Sequence, residues 1–147
     1  MKRYATPQIS VRNLQRNVRV DVVDLEKFAA KAVKLCLNLP EKKKTELQQL
    51  PAVSVLIVSD RKIASLHKQF MSESGPTDVM TFQHGEIFIS AEMARRNARR
   101  FESSLADELR LYLVHGLLHL HAFDDRDPKN ARKMEAVQRK ILTEATL

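Results

Sequence analysis

A chain of 147 residues that is 44% hydrophobic and 29% charged has the size and composition of one soluble globular domain, expected to span residues 1–147. No run approaches the roughly 18 apolar residues of a transmembrane helix, and no apolar stretch follows the basic N-terminus as in a secretory signal. The single cysteine, Cys36, has no disulfide partner and favours a reducing compartment, while the net charge of +7 favours a polyanionic partner, nucleic acid above all.

The first half of the chain predicts two strands separated by a long helix. Alternating apolar and polar residues predict a short strand near residues 8–13, and apolar residues at helical spacing after Asp24 predict a helix that stops by Pro40. Residues 41–50 are polar and predict a connector or a short helix. Residues 53–58 are β-branched and apolar on both faces, which is typical of a central buried strand.

The middle of the chain predicts a helix, a hairpin and a second helix. The helix is expected to cover residues 59–70. Two short strands, residues 77–82 and 86–89, are joined by Gln-His-Gly and should pair as a hairpin. Ser90 has the side chain of a helix N-cap, so a further helix is expected from there to about Arg100.

The last third predicts two helices. Residues 104–121 should form the central buried helix, because residues 111–120 are apolar on every side except for the histidines. Asp127 and Pro128 suit the first positions of the final helix. This helix is expected to pack through Met134, Val137, Ile141 and Leu142. The elements together predict a single α+β domain with an about four-stranded mixed sheet, about five helices and the metal histidines on the central helix.

Two histidines of the central helix, His115 and His119, stand four residues apart and therefore lie on one helix face, one turn apart. One transition-metal ion would satisfy both buried rings, and paired hydrogen-bonded core histidines are the alternative. A third ligand could come from the helix end or the turn after it. The candidates there are Asp125, Asp124, Asp127 and His121, of which a carboxylate is geometrically easier. Three protein ligands leave one tetrahedral position for solvent, so the pattern favours a metal-dependent hydrolase.

Three other positions bear on this hypothesis. Gly116 stands where the zincin peptidase motif His-Glu-x-x-His has its general base, which disfavours a peptidase. Glycine there is expected to let another element, or the substrate, approach the helix closely. His67 and His84 are expected to be bystanders to the chemistry, although His84 in a hairpin turn could face the cleft.

Basic residues occur in clusters that together predict a basic face for nucleic acid, although each cluster alone is also typical of a solvated surface. The clusters are Arg12, Arg16 and Arg19; Lys42, Lys43 and Lys44; Arg95, Arg96, Arg99 and Arg100; and Arg126, Lys129, Arg132 and Lys133. Aromatic residues make up 5% of the chain, so phosphate contacts should outweigh base stacking.

The chain resembles a known family at these residues. The run His115-Gly-Leu-Leu-His-Leu-His-Ala-Phe-Asp124 is similar to the signature His-Gly-x-Leu-His-Leu-x-Gly-Tyr/Phe-Asp-His of the YbeY family. Pro76-Thr-Asp-Val-Met-Thr-Phe82 resembles the family segment Pro-Thr-Asp-Val-Leu-Ser-Phe. Gly85-Glu-Ile-Phe-Ile-Ser90 resembles the family segment Gly-Asp-Ile-x-Ile. The resemblance is good over residues 53–142 and looser in the N-terminal third.

The resemblance implies a mixed α/β fold, one zinc ion and endonuclease cutting of single-stranded RNA in the cytoplasm. It implies maturation of the 16S rRNA 3′ end, and thus ribosome biogenesis and quality control, with the small ribosomal subunit as partner. The implied metal ligands are His115, His119 and Asp125. With them we assign Asp124 to the catalytic group, for ligand orientation or proton relay, and the cluster Arg95, Arg96, Arg99 and Arg100 to RNA binding.

Three positions depart from the family pattern. Asp125 replaces the usual third histidine; its negative charge weakens the metal as a Lewis acid and admits other divalent ions. Ala122 replaces a glycine, so a left-handed helix cap there would cost roughly 1–2 kcal/mol. Met71 replaces an arginine that contributes to activity in the family. These departures leave open a non-catalytic ribosome- or RNA-binding factor with a structural or vestigial metal site.

Overall fold

A computed structural model describes residues 5–40, 44–75 and 77–147. Several predictions, including that for the connector over residues 41–50, fall partly outside the described residues. Lys42 and Lys43 of the second basic cluster are not among them, and neither is Pro76, the first residue of the family-like strand motif. The N-terminal segment discussed above is described only from Ala5 onward.

Four strands form one mixed sheet in the spatial order β1-β2-β4-β3. They are β1 (Gln8–Asn13), β2 (Ala52–Val58), β3 (Val79–Phe82) and β4 (Glu86–Ser90). The first, second and fourth strands run parallel, and β3 pairs with β4 in antiparallel fashion, with Phe82 opposite Glu86. The predicted hairpin is therefore confirmed, and so is the central position of β2.

Six helices occur in the described parts of the chain: α1 (Val22–Leu37), α2 (Glu46–Gln49), α3 (Asp60–Met71), α4 (Ala91–Arg100), α5 (Leu105–Leu120) and α6 (Pro128–Thr146). The one helix beyond the predicted five is α2, a single turn in the segment where a connector or short helix was expected. Thr45 and Gln48 cap it reciprocally. Among the described residues, no helix combines the length and apolarity needed to cross a bilayer.

Both faces of β2 are buried because helices cover both sides of the sheet. Val53, Val55 and Ile57 belong to the main core, which also contains the inner faces of α1, α5 and α6. Leu56 and Val58 belong to a smaller core beneath α3. Successive side chains of β2 point to opposite faces of the sheet, so they alternate between the two cores. The α+β architecture predicted from the sequence is confirmed.

The central helix α5 lies directly against β4 at Gly116. A Cβ atom added to Gly116 would lie 2.7 Å from Ile87 Cγ2 and 2.9 Å from Ile87 Cδ1. No ordinary side chain fits within such distances. The predicted close approach at this glycine is confirmed, and the approaching element is a strand rather than substrate.

The C-terminal end of α5 is closed by a left-handed cap at Ala122. Ala122 has φ of +68°, a region that L-residues other than glycine seldom adopt. The Phe123 N–H donates to the Leu118 carbonyl at 2.9 Å, and the Ala122 N–H donates to the His119 carbonyl at 3.2 Å. These two bonds define a Schellman motif. The chain thus forms the left-handed cap with alanine in the position that glycine usually takes.

Ala122→Gly is therefore expected to stabilise the protein by about 0.5–1 kcal/mol. Glycine removes the strain of the left-handed conformation, and part of this gain is offset by the greater freedom of glycine in the unfolded chain. Urea denaturation measures the difference. The matched control is Ala136→Gly at an exposed position within α6, where glycine should destabilise by about 1 kcal/mol. Destabilisation of similar size at both positions would contradict the prediction.

Candidate metal centre

Two imidazoles of α5 converge on one point. His115 Nε2 and His119 Nε2 are 3.0 Å apart, with the two rings nearly perpendicular. Asp125 follows on the turn between α5 and α6, and its Oδ2 lies 3.9 Å from His115 Nε2. Ligand atoms of these three residues all lie within 4.8 Å of one another. The helical spacing and the following turn thus bring together the three ligands implied by the resemblance.

The Nδ1 atom of each of these two imidazoles makes a hydrogen bond that orients the ring. His119 Nδ1 donates to the carbonyl oxygen of Phe123 at 3.1 Å, and His115 Nδ1 lies 3.0 Å from Gln138 Oε1 of α6. A carbonyl oxygen only accepts, so Nδ1 of His119 carries a proton and Nε2 of the neutral ring presents its lone pair. Hydrogen bonds of this kind orient histidine ligands in metal sites. Gln138 was missed in the sequence because only the packing of α6 on α5 brings it to His115.

The donor set fits a metal ion. In a tetrahedral zinc site with Zn–N distances of about 2.0–2.1 Å, two ligand nitrogens stand about 3.3 Å apart. The observed Nε2–Nε2 separation of 3.0 Å is within a few tenths of an ångström of this value. The side chain of Asp125 is about half exposed on its turn, so rotation of that side chain can bring a carboxylate oxygen to the same ion. His115, His119 and Asp125 could therefore hold one metal.

The pKa of His119 is lowered from its ordinary value. Burial of the ring is the largest cause, and the neighbouring His115 lowers this pKa further. Asp125, the Phe123 carbonyl and Asp124 act in the opposite direction. A lowered pKa keeps the imidazole neutral near neutral pH, which is the form that binds a metal.

The metal-free protein is expected to lose stability on acidification. Unfolded His119 takes up a proton near its ordinary pKa of about 6.5, whereas folded His119 resists protonation until a lower pH. The free energy of unfolding should therefore fall as the pH drops from about 6.5 through the lowered pKa. Thermal unfolding with chelator at about pH 7.5 and about pH 5.5 tests this. His119→Gln should lose less stability over the same interval, and an equal loss would contradict the assignment.

The two Nε2 atoms face a cavity of about 360 Å³ between α5, β3 and the C-terminal end of α3. Its lining residues are His67, Met71, Glu73, Thr77, Val79, Met80, Thr81, Gln83, His115 and His119. Met71 is part of this wall. No arginine or lysine occurs among the described lining residues.

His67 lines this cavity, so it lies at the site although it was predicted to be a bystander to the chemistry, and that prediction stays untested. Its side chain is 15% exposed and contacts Glu73 on the loop after α3. His67 on α3 and His115 on α5 belong to elements far apart in sequence, so no local pattern links them. His84 is absent from the described lining and its side chain is 67% exposed, in accord with the bystander prediction.

His121, a candidate third ligand, is hydrogen-bonded to residues outside the metal-ligand group. It is fully buried; its Nδ1 lies 2.9 Å from Thr45 Oγ1 and its Nε2 lies 3.4 Å from the Leu39 carbonyl. With Nε2–H donating to that carbonyl, the Thr45 hydroxyl donates to Nδ1. His121 thus ties the end of α5 to the start of α2 and to the segment after α1.

Asp124 and Asp127 shape the turn that carries Asp125. Asp124 Oδ1 accepts from the Arg126 N–H at 3.2 Å and from the Asn130 side chain at 3.4 Å. Asp127 is the N-cap of α6 and accepts from the Asn130 N–H at 2.8 Å. Of the four candidates for the third ligand, Asp125 is the one grouped with both histidines.

The four arginines of α4 do not line the cavity. Arg96 forms an ion pair of 2.6 Å with Asp60, the first residue of α3, whereas Met71 at the other end of that helix lines the cavity. Asp60 and Met71 are about 16 Å apart along the helix axis. Arg95 donates to the Asn17 carbonyl. The cluster that follows Asp125 directly, Arg126, Lys129, Arg132 and Lys133, is exposed and begins next to the candidate ligands.

Comparison with known proteins identifies one family. The family model described as "Endoribonuclease YbeY" matches residues 10–146. The Endoribonuclease YbeY of Thermotoga maritima is 35% identical over 125 residues, which cover 78% of this chain and 83% of that protein. The Endoribonuclease YbeY of Thermobifida fusca is 34% identical over 110 residues, with coverage of 63% and 71%. The solution structure of TM1509 from Thermotoga maritima matches with a TM-score of 0.65 and 27% identity, covering 94% of this chain and 89% of that one.

Proposed function

Because this chain belongs to the YbeY endoribonuclease family, we propose that it is a metal-dependent nuclease that cuts single-stranded RNA. Its task would be maturation of the 16S rRNA 3′ end and ribosome quality control, on the small ribosomal subunit in the cytoplasm. The observation that carries the proposal is the convergence of His115 Nε2 and His119 Nε2 with Asp125 beside an open cavity. Residues 1–147 would act as one metallohydrolase domain.

His115, His119 and Asp125 would hold one zinc ion. When bound, such an ion supplies Lewis-acid chemistry and acidifies water for attack on a phosphodiester. The carboxylate of Asp125 gives the site one more negative charge than a third histidine would, so other divalent metals can compete with zinc. The hydrogen bonds from Nδ1 of each histidine would keep both Nε2 lone pairs aimed at the ion.

Asp124 would serve the catalytic group by positioning its neighbour. Its carboxylate accepts bonds from Arg126 and Asn130, which fixes the turn on which Asp125 stands. This arrangement supports ligand orientation over proton relay, because the carboxylate is already occupied within the turn.

RNA would be held mainly through its phosphates. The exposed cluster Arg126, Lys129, Arg132 and Lys133 lies next to the metal ligands, and Arg95, Arg96, Arg99 and Arg100 offer a second contact farther along the surface. Each phosphate neutralised on a single strand lowers the slope of log affinity against log salt by about 0.7. Binding should therefore weaken steeply as salt increases.

The test uses purified, zinc-loaded protein with a single-stranded RNA and with the same sequence in a duplex. We expect cleavage of the single strand, loss of cleavage with chelator while the circular dichroism spectrum is retained, and recovery when zinc is added back. Cleavage that is indifferent to chelator would contradict the metal assignment. Absence of cleavage by protein shown to contain the metal would contradict the nuclease proposal.

A non-catalytic ribosome- or RNA-binding factor is the second candidate, and Met71 is the observation that favours it. The cavity wall has a thioether where the family carries an arginine, and no described lining residue is arginine or lysine. On this alternative the loaded protein binds RNA in a salt-dependent manner and leaves it intact. A peptidase is disfavoured because Gly116, packed against Ile87, leaves no space for a glutamate base.

A further inference from the structure

The ring of His67, in the cavity wall, lies between two hydrogen-bond acceptors. Its Nδ1 lies 3.1 Å from the Gly75 carbonyl oxygen, and its Nε2 lies 2.9 Å from Glu73 Oε2. Carbonyl and carboxylate oxygens accept hydrogen bonds and do not donate them. The ring can make both bonds only with a proton on each nitrogen, which is the imidazolium form. In that form His67 offers a charged N–H donor to a cavity whose described lining has no arginine or lysine.

The anion that faces His67 is easily displaced. The side chain of Glu73 is 67% exposed, on the loop that follows α3. Ion pairs with so exposed a partner contribute little to stability, so loss of this contact costs the fold little. A phosphate oxygen is an acceptor of similar size and charge to a carboxylate oxygen, and charge-assisted bonds to either are of comparable strength.

We propose that His67 binds a phosphate of the RNA within the cavity, at the place that the Glu73 carboxylate takes in the free protein. The inference rests on the proposed function, since the phosphate belongs to the RNA strand, and His67 lines the same cavity as His115 and His119. His67 is then a substrate-binding residue, and Glu73 is the counter-ion that the substrate replaces. Negative charge that develops on the phosphoryl oxygens during cleavage strengthens this contact.

The principal variant is His67→Gln, which keeps hydrogen-bonding capacity and removes the charge. We expect kcat/KM for single-stranded RNA to fall about 10- to 100-fold, the range expected for loss of a hydrogen bond to a charged group. The salt slope of RNA binding should decrease by about 0.7, as for one lost phosphate contact, with zinc content unchanged. His67→Arg retains the charge and should recover most of the loss. A purely structural histidine would leave the salt slope unchanged and would not be rescued by arginine.

The matched control is His84→Gln. His84 also contacts a glutamate, Glu86, at 2.6 Å, but its side chain is 67% exposed and it does not line the cavity. This variant should bind and cleave RNA as the parent protein does. If His67→Gln behaves like His84→Gln in cleavage and in salt slope, the inference is wrong.

Glu73→Gln tests the exchange itself. Because the carboxylate competes with phosphate for His67, the neutral amide should leave RNA affinity equal or a few-fold higher. Weaker RNA binding in this variant would contradict the exchange.

Different outcomes would overturn the nuclease proposal and the inference about His67. A parent protein that binds zinc and RNA without cutting overturns the nuclease proposal while its salt slope still tests His67, whereas a cutting parent with an unaffected His67→Gln overturns this inference alone.

Discussion

His119→Ala is expected to abolish RNA cleavage and to remove the bound metal. The side chain supplies one of only two imidazole nitrogens in the ligand group of the described residues, and the other, on His115, is 3.0 Å away. Loss of a hydrogen-bond partner behind a ligand already costs about 10- to 100-fold in affinity or activity, so loss of a ligand should exceed about 100-fold. Metal content by atomic emission and initial rates on a single-stranded RNA measure the two effects.

Gln138→Leu provides a graded control for this result. It leaves all three ligands in place and removes only the bond to His115 Nδ1, so an intermediate loss within about 10- to 100-fold is expected. A protein in which His115 and His119 are both alanine and which still cuts RNA at the parent rate would refute the hydrolytic role of the site.

Gly116→Glu should fail to produce a peptidase and should destabilise the fold by about 3 kcal/mol or more. The substitution creates the zincin sequence His-Glu-x-x-His, yet a Cβ alone would stand 2.7 Å from Ile87 Cγ2. Overpacking of this kind costs about 1–3 kcal/mol, and burial of an unpaired carboxylate adds to it. Denaturant unfolding measures the stability, and digestion of casein by the metal-loaded protein measures the absent activity.

Gly116→Ala separates crowding from charge. A loss of about 1–2 kcal/mol is expected, since overpacking outweighs the better helix propensity of alanine. Ile87→Ala in the same chain should relieve part of the crowding. The double variant should therefore lose less stability than the sum of the losses measured for the two single variants. Stabilisation by Gly116→Ala, as at an ordinary exposed helix position, would show that β4 does not press on α5.

The elements predicted from the sequence were those with strong local signals. The fully apolar run of β2 and the hairpin turn at Gly85 leave few alternative arrangements, and both are confirmed. The one-turn helix α2 has no clear sequence signal, because a single turn has no hydrophobic period and depends on its Thr45 cap. The left-handed Ala122 was expected to be costly; the structure accepts the strain because the hydrogen bonds to Leu118 and His119 define the cap.

The site residues that could be predicted are likewise those that lie close together in the sequence. Helix periodicity pairs His115 with His119, whereas the turn alone left four candidates for the third ligand, and the family resemblance implied Asp125. His67 and Gln138 reach the same place through packing between elements far apart in sequence, which no periodicity encodes. Of the arginines of α4, Arg96, Arg99 and Arg100 are exposed, but exposure does not determine position, and none of the four is among the described residues that line the cavity.

The three candidate ligands differ in how rigidly the surrounding structure holds them. Two belong to a buried helix that contacts the sheet and three other long helices, so their spacing cannot drift without unfolding the protein. The third stands on a half-exposed turn, where substitutions are tolerated far more readily. Proteins of this fold that prefer different metals should therefore differ mainly in the residue at position 125. The two histidine positions should change less, because the packing of α5 fixes their spacing.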